Sequence, residues 1–131
     1  MLVEQTAAKR LGTARFQLPG LATGLRVDLM FSVTGIEREV VAGATPTALP
    51  GGAQVGTATV GHLIAMKCLS ESPRRLQDRI DLSNLISAAR QKDLQLAKRA
   101  LRLIEARGMA RRKNLGAVLD RHLAGVRGRR R

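Results

Sequence analysis

The sequence predicts an α+β protein, a small antiparallel strand layer followed by an antiparallel set of about four helices. Three observations carry that prediction. Residues 11–18 and 25–31 alternate apolar and polar side chains with a period of two. Residues 59–126 repeat their apolar side chains at helical spacing. The 131 residues suffice for one modest core and not for two. The expected organisation is a strand layer over 1–58, a helical region over 59–126 and a basic, disordered tail over 127–131.

Leu2 to Gln5 has the composition of a short strand, though nothing precedes it to pair against. From Leu11 to Leu18, Ala14, Phe16 and Leu18 alternate with Thr13, Arg15 and Gln17. Pro19-Gly20 opens a turn and Gly24 closes it. In the next strand, Leu25 to Phe31, Leu25, Val27, Leu29 and Phe31 take one face, and Arg26, Asp28 and Met30 the other. The two strands form an antiparallel hairpin. Gly35 to Val41 fits a short helix with Thr34 available as its cap. Gly43 to Gly52 reads as a loop, and Gln54 to Thr57 as a brief extended piece.

The longer helices follow. Val60 to Leu69 is apolar nearly all round, with Thr59 as N-cap. After a turn containing Pro73 comes a helix whose inner face carries Leu82, Leu85 and Ala89. Lys92 to Arg107 aligns Leu94, Ala97, Leu101 and Ile104, and Gly108 stops it. The last, Asn114 to Val126, aligns Leu115, Val118, Leu119 and Leu123. His122 joins that stripe, and His62 begins the first long helix. Neither has a second ligand at metal spacing, so both read as core-edge histidines.

Composition narrows the function classes. There is no Trp or Tyr and only two Phe, so no row of rings exists on which bases could stack. The single Cys68 lies mid-helix among apolar neighbours and reads as a structural thiol of a reducing, cytoplasmic compartment. No apolar run approaches a membrane span, and no signal-peptide layout opens the chain. The net charge of +13 is uneven: residues 98–131 hold 12 Lys and Arg against 2 acids. Such asymmetry points to a polyanion, nucleic acid before membrane. A plain solvated, arginine-rich surface explains it equally well.

Ionised groups stand out in one place. Lys67 continues the stripe Val60, Leu63, Ile64, while Asp78 and Asp81 lie one turn before Leu82 and Leu85. A lysine on one inner face can therefore meet two aspartates on another, and desolvating such groups is costly unless they pair. The alternative is that Lys67 reaches solvent along its stem. The aspartates would then simply complement the helix dipole.

No Walker loop, GxGxxG, cysteine pair, HExxH or GxSxG is present. The chain does resemble a known group over about Leu2 to Leu123. The pieces are Val27-Asp28-Leu29 followed by Ser-x-x-Gly-Ile-Glu, then Leu-Ile-Ala-x-Lys ending at Lys67 and Gln-Asp-x-x-Asp-Leu at 77–82. The stretch from Asp93 to Gly108 continues the likeness. In these the chain resembles the AbiEii-type nucleotidyltransferase toxins of the minimal nucleotidyltransferase (polymerase-beta-like) superfamily.

The resemblance implies a metal-dependent transfer of NMP from an NTP to an acceptor such as a tRNA, in a toxin–antitoxin setting. It implies Mg²⁺ or Mn²⁺ held by three carboxylates, with Asp28 as the third. Lys67 matches a lysine that meets nucleotide phosphates, Asp78 an acid that positions or deprotonates the acceptor hydroxyl, and Asp81 a structural partner. The family's Gly-rich turn and Asp-x-Asp strand are missing. One aspartate cannot hold two hard cations. The expectation is therefore a truncated or degenerate relative, or a half completed by a complementary N-terminal chain, inactive alone. Its RNA-facing surface would be the basic helices beyond Lys98, with Arg111, Arg112 and Lys113 among the contacts. The alternative is a non-catalytic basic module that binds nucleic acid or an acidic protein partner, and a third reading is a remnant with no activity.

Overall fold

A computed structural model describes residues 2–5, 11–17, 26–31 and 33–128. The chain forms two compact units that divide between Val33 and Thr34, whereas the sequence places the division near 58. The expected turn at Pro19-Gly20 and Gly24, and the last three residues of the basic tail, lie outside the described residues.

The first unit is a three-stranded antiparallel sheet in the order β1-β2-β3, with β1 at Leu2–Gln5, β2 at Leu11–Gln17 and β3 at Arg26–Met30. The expected hairpin is present, and β1 finds its partner in the strand that follows it. Arg15 stands opposite Asp28, and Phe16 opposite Val27. Val27 and Leu29, expected on a buried face, keep about half their surface exposed. Among the described residues of this unit the sheet is a single layer, so their cover comes from cross-strand neighbours.

The second unit begins with α1, Glu37–Ala42. Glu37 accepts hydrogen bonds from both the backbone N–H (2.6 Å) and the hydroxyl (2.8 Å) of Thr34. Thr34 thus secures the entry to the helix from three residues upstream, with Gly35 between them at φ +79. A side chain at Gly35 would also collide with Met109.

A second hairpin follows, β4 at Thr45–Ala48 and β5 at Gln54–Thr57, closed by Gly51 and Gly52, both at positive φ. The sequence reading takes the first of these strands for loop. All eight strand residues are exposed, so they show no apolar alternation, and Pro46 argues against a strand except where its missing N–H is not needed.

Four helices build the core: α2 at Val60–Ser70, α3 at Leu76–Ala88, α4 at Gln91–Ala106 and α5 at Leu115–Gly128. The Thr59 hydroxyl accepts from the His62 backbone N–H, as an N-cap should. Helix α2 is the central one and supplies Ile64, Ala65, Cys68 and Leu69. Against these pack Leu82 and Ile86 of α3, Ala97, Leu101 and Ile104 of α4, and Leu115, Val118 and Leu119 of α5. Helices α2 and α4 meet closely at Gly61, where a methyl group would lie 2.6 Å from the Asp93 carbonyl oxygen. The glycine therefore sets that helix spacing. Helix α5 continues through Arg127 and Gly128, which the sequence assigns to the tail.

Candidate functional site

Lys67 sits in the last turn of α2, where a cation suits the helix dipole. Its amine donates to Asp78 Oδ1 and to Asp81 Oδ2, each at 2.7 Å. Of the two readings left open by the sequence, the structure takes the paired one. The two aspartates are presented from the first turns of α3, three residues apart, so both carboxylates face the end of α2. Asp78 is the more enclosed, its side chain 15% accessible against 31% for Lys67 and 33% for Asp81.

The remaining carboxylate oxygens are occupied too. Asp81 Oδ1 accepts from the Gln77 amide at 2.7 Å, and Asp78 Oδ2 lies 3.6 Å from the Arg75 guanidinium. Burial opposes the charge on Lys67, yet its two carboxylate partners outweigh it and raise its pKa. Burial likewise disfavours the Asp78 carboxylate, and the hydrogen bond from Lys67 wins, so its pKa is lowered. The bonds from Lys67 and then Gln77 lower that of Asp81. All three groups are charged at neutral pH. Two of the three ammonium donors are spent on carboxylates, and the third can serve another oxygen.

Beside this cluster is a second one that the sequence reading misses. Glu71, the residue after α2, is buried. Its carboxylate lies 3.6 Å from Arg79 and 3.8 Å from His122 Nε2, and His122 Nδ1 is 3.5 Å from the Ser83 hydroxyl. Burial lowers the His122 pKa more than Glu71 raises it, which keeps the ring neutral. Nothing in the local pattern marks Glu71, because its partners come from α3 and α5.

Lys113, expected among the nucleic-acid contacts, instead closes the end of α2. Its amine donates to the Leu69 carbonyl at 2.7 Å and to the Glu71 carbonyl, satisfying acceptors the helix leaves open. Burial lowers its pKa. Arg111 and Arg112 precede it at φ 54 and 62, consecutive left-handed residues in the connection between α4 and α5. Both are exposed. Each such backbone costs roughly 1–2 kcal/mol.

The outer face of α4 presents Lys92, Lys98, Arg99 and Arg102, all exposed. The helix's two acids serve as caps: Asp93 accepts from the Arg90 N–H at 2.9 Å, and Glu105 from the Leu115 N–H at 3.2 Å. Among the described residues no ion pair involves the four cations of that face.

Asp28 is exposed on β3, and Arg15 donates to both its oxygens, at 2.7 and 2.8 Å. Register explains this, since the two residues stand directly opposite on one face. A carboxylate held in such a fork is a poor ligand for a divalent cation. Among the described residues no group of three His, Cys, Asp or Glu side chains is arranged to hold a metal. The donor set does not fit the paired cations that the resemblance implies.

His62 is buried, 3.0 Å from the Thr59 hydroxyl, and burial lowers its pKa. Cys68 is buried and its thiol is pushed up to about 12 by burial, which leaves almost no thiolate at neutral pH. No described helix is long and apolar enough to cross a membrane. In comparisons with known proteins, no family model matches the chain, and no curated protein sequence matches it either.

Proposed function

We propose that the chain is a nucleotidyltransferase-like protein of the AbiEii type that keeps one wall of a phosphate-handling cleft and does not transfer nucleotides alone. The observation that carries this reading is the Lys67 amine held 2.7 Å from both Asp78 and Asp81. An ammonium fixed in this way is preorganised: its position is set before a ligand arrives, and its remaining donor can meet a phosphate oxygen. Arg75, beside Asp78, adds a second cation at the rim. With Asp28 held by Arg15 and no group of three metal-ligating side chains among the described residues, the reading includes no metal step.

The test is transfer of radiolabelled nucleotide to tRNA in Mg²⁺ or Mn²⁺, alongside binding of ATP and tripolyphosphate. No transfer is expected from the chain alone, and tripolyphosphate binding should weaken in Lys67→Met. Transfer that is lost in Asp28→Ala would overturn this reading.

One observation favours a second reading, a basic module for nucleic acid. It is the α4 face, with Lys92, Lys98, Arg99 and Arg102 and both of the helix's acids committed to capping. RNA affinity should then fall steeply with salt, by about 0.7 log units per phosphate contact for each tenfold rise. Neutralising those four residues should flatten the slope. A slope unchanged by the substitutions removes this reading.

A further inference from the structure

The groove between α3 and α5 is used by neither reading above. It encloses about 360 Å³, and its apolar surface comes from Leu76 and Ile80 of α3 and Val126 of α5. Arg79 of α3 and Arg121 and His122 of α5 also line it. No acid is among its lining residues. Helix α3 thus has two apolar faces. Leu82 and Ile86 are buried in the core, whereas Leu76 and Ile80 keep 64% and 45% of their surface exposed. Leu76 and Ile80 are four residues apart, one above the other, and Arg79 lies on the same side. An exposed apolar patch rimmed by polar side chains marks an interaction site, and arginine is enriched at protein interfaces.

We propose that this groove docks an acidic amphipathic helix of another protein. The spacing on α3 suits apolar residues at i, i+3 or i+4 and i+7 of the incoming helix. Carboxylates flanking that stripe would meet Arg121 first, and then the guanidinium N–H groups of Arg79, whose Nε already faces Glu71 at 3.6 Å. Charge selects the occupant. A second copy of this chain is disfavoured because each carries a net charge of +13. Nucleic acid would find the two arginines but leave the aliphatic floor unused, with no aromatic side chain lining the groove for its bases.

The test uses three fluorescein-labelled synthetic peptides with the full chain, read by fluorescence anisotropy. One is an amphipathic helix with a leucine stripe flanked by glutamates. The second has the same composition in shuffled order, and the third replaces its glutamates with lysines. The first should bind at least about tenfold more tightly than either control. Ile80→Asp should weaken it by about tenfold and Arg121→Glu by about fivefold. Leu76→Ser, at the more exposed position, is a second apolar variant. Amide chemical shifts should move at residues 76–84 and 121–126, and each variant should keep the parent's circular dichroism spectrum.

Failure of the first peptide to bind overturns the proposal, as does equal binding by the shuffled one, which would show mere attraction of opposite charges. Equal binding by the lysine peptide would show unspecific apolar adhesion and also overturns it. A single-stranded RNA oligonucleotide that shifts these same residues and loses affinity in Ile80→Asp would assign the groove to nucleic acid instead.

Discussion

Replacing Lys67 with methionine removes the cation and keeps most of the stem, so the effect reports the ammonium and not its packing. Two charge-assisted hydrogen bonds are lost, both 2.7 Å long. The two arms differ. Asp81 is one-third accessible and keeps its bond from Gln77, so water and that amide replace the lysine there. Asp78 is 15% accessible, and its other partners are Arg75, 3.6 Å away and largely exposed, and a weaker hydrogen bond from the Ser70 side chain. Its carboxylate is left poorly compensated. A fully buried pair broken on one side costs about 3–5 kcal/mol, and an exposed pair about 0–1 kcal/mol. The half-buried Asp78 arm falls between, at about 2 kcal/mol. With a urea dependence of about 1–2 kcal/mol/M, the unfolding midpoint should drop by roughly 1–2 M at pH 7.

The double-mutant cycle with Asp78→Asn sharpens this. Most of the loss comes from the stranded carboxylate, so Asp78→Asn should cost far less in the Lys67→Met background than in the parent. The measurement is urea unfolding followed by circular dichroism for the parent, both single variants and the double variant. Costs that add to within about 0.5 kcal/mol would refute the reasoning, because uncoupled groups behave that way.

The remaining predictions concern pH, packing and capping. His62 and His122 both have folded-state pKa values lowered by burial from 6.5. The unfolded chain therefore binds more protons in that window, and stability should fall as pH drops from 7.5 to 5. Replacing both histidines with glutamine should flatten that dependence, read as urea midpoint against pH. Asp78 and Asp81, lowered by Lys67, add stability above the usual carboxylate range that disappears as pH falls through their folded values. A steeper acid transition in the parent than in Lys67→Met checks it. Gly61→Ala pushes a methyl to 2.6 Å from the Asp93 carbonyl and should destabilise by about 1–3 kcal/mol in thermal unfolding. Lys113→Met strips a partner from the Leu69 and Glu71 carbonyls and should cost about 1–2 kcal/mol while leaving RNA affinity nearly unchanged.

Much of the helical unit is legible from sequence because its apolar periodicity is strong and its boundaries carry local signals. Thr59 caps α2, and Leu82, Leu101, Ile104 and Leu119 are buried where the pattern puts them. The proximity of Lys67 to Asp78 and Asp81 is legible for the same reason, since stepping back one turn along a helical face is simple geometry. Features that depend on long-range partners are hidden. The β4–β5 hairpin has no buried side chain to create a pattern. Glu71 reads as an ordinary residue after a helix, until Arg79 and His122 arrive from elsewhere in the chain. Asp28 points away from Val27 and Leu29 as its alternation requires, but the Arg15 opposite it follows only from the hairpin register. Lys113 looks like one of three basic neighbours, and only the path of the connection turns its amine toward the end of α2.

An NMR titration of the isotopically labelled chain with tripolyphosphate reads whether the Lys67 cluster faces phosphate. Shifts concentrated at Lys67, Arg75, Asp78 and Asp81, and abolished by Lys67→Met, are the predicted result. Shifts confined to Lys98, Arg99 and Arg102 on α4, with the Lys67 ammonium and both aspartates unmoved, would contradict it.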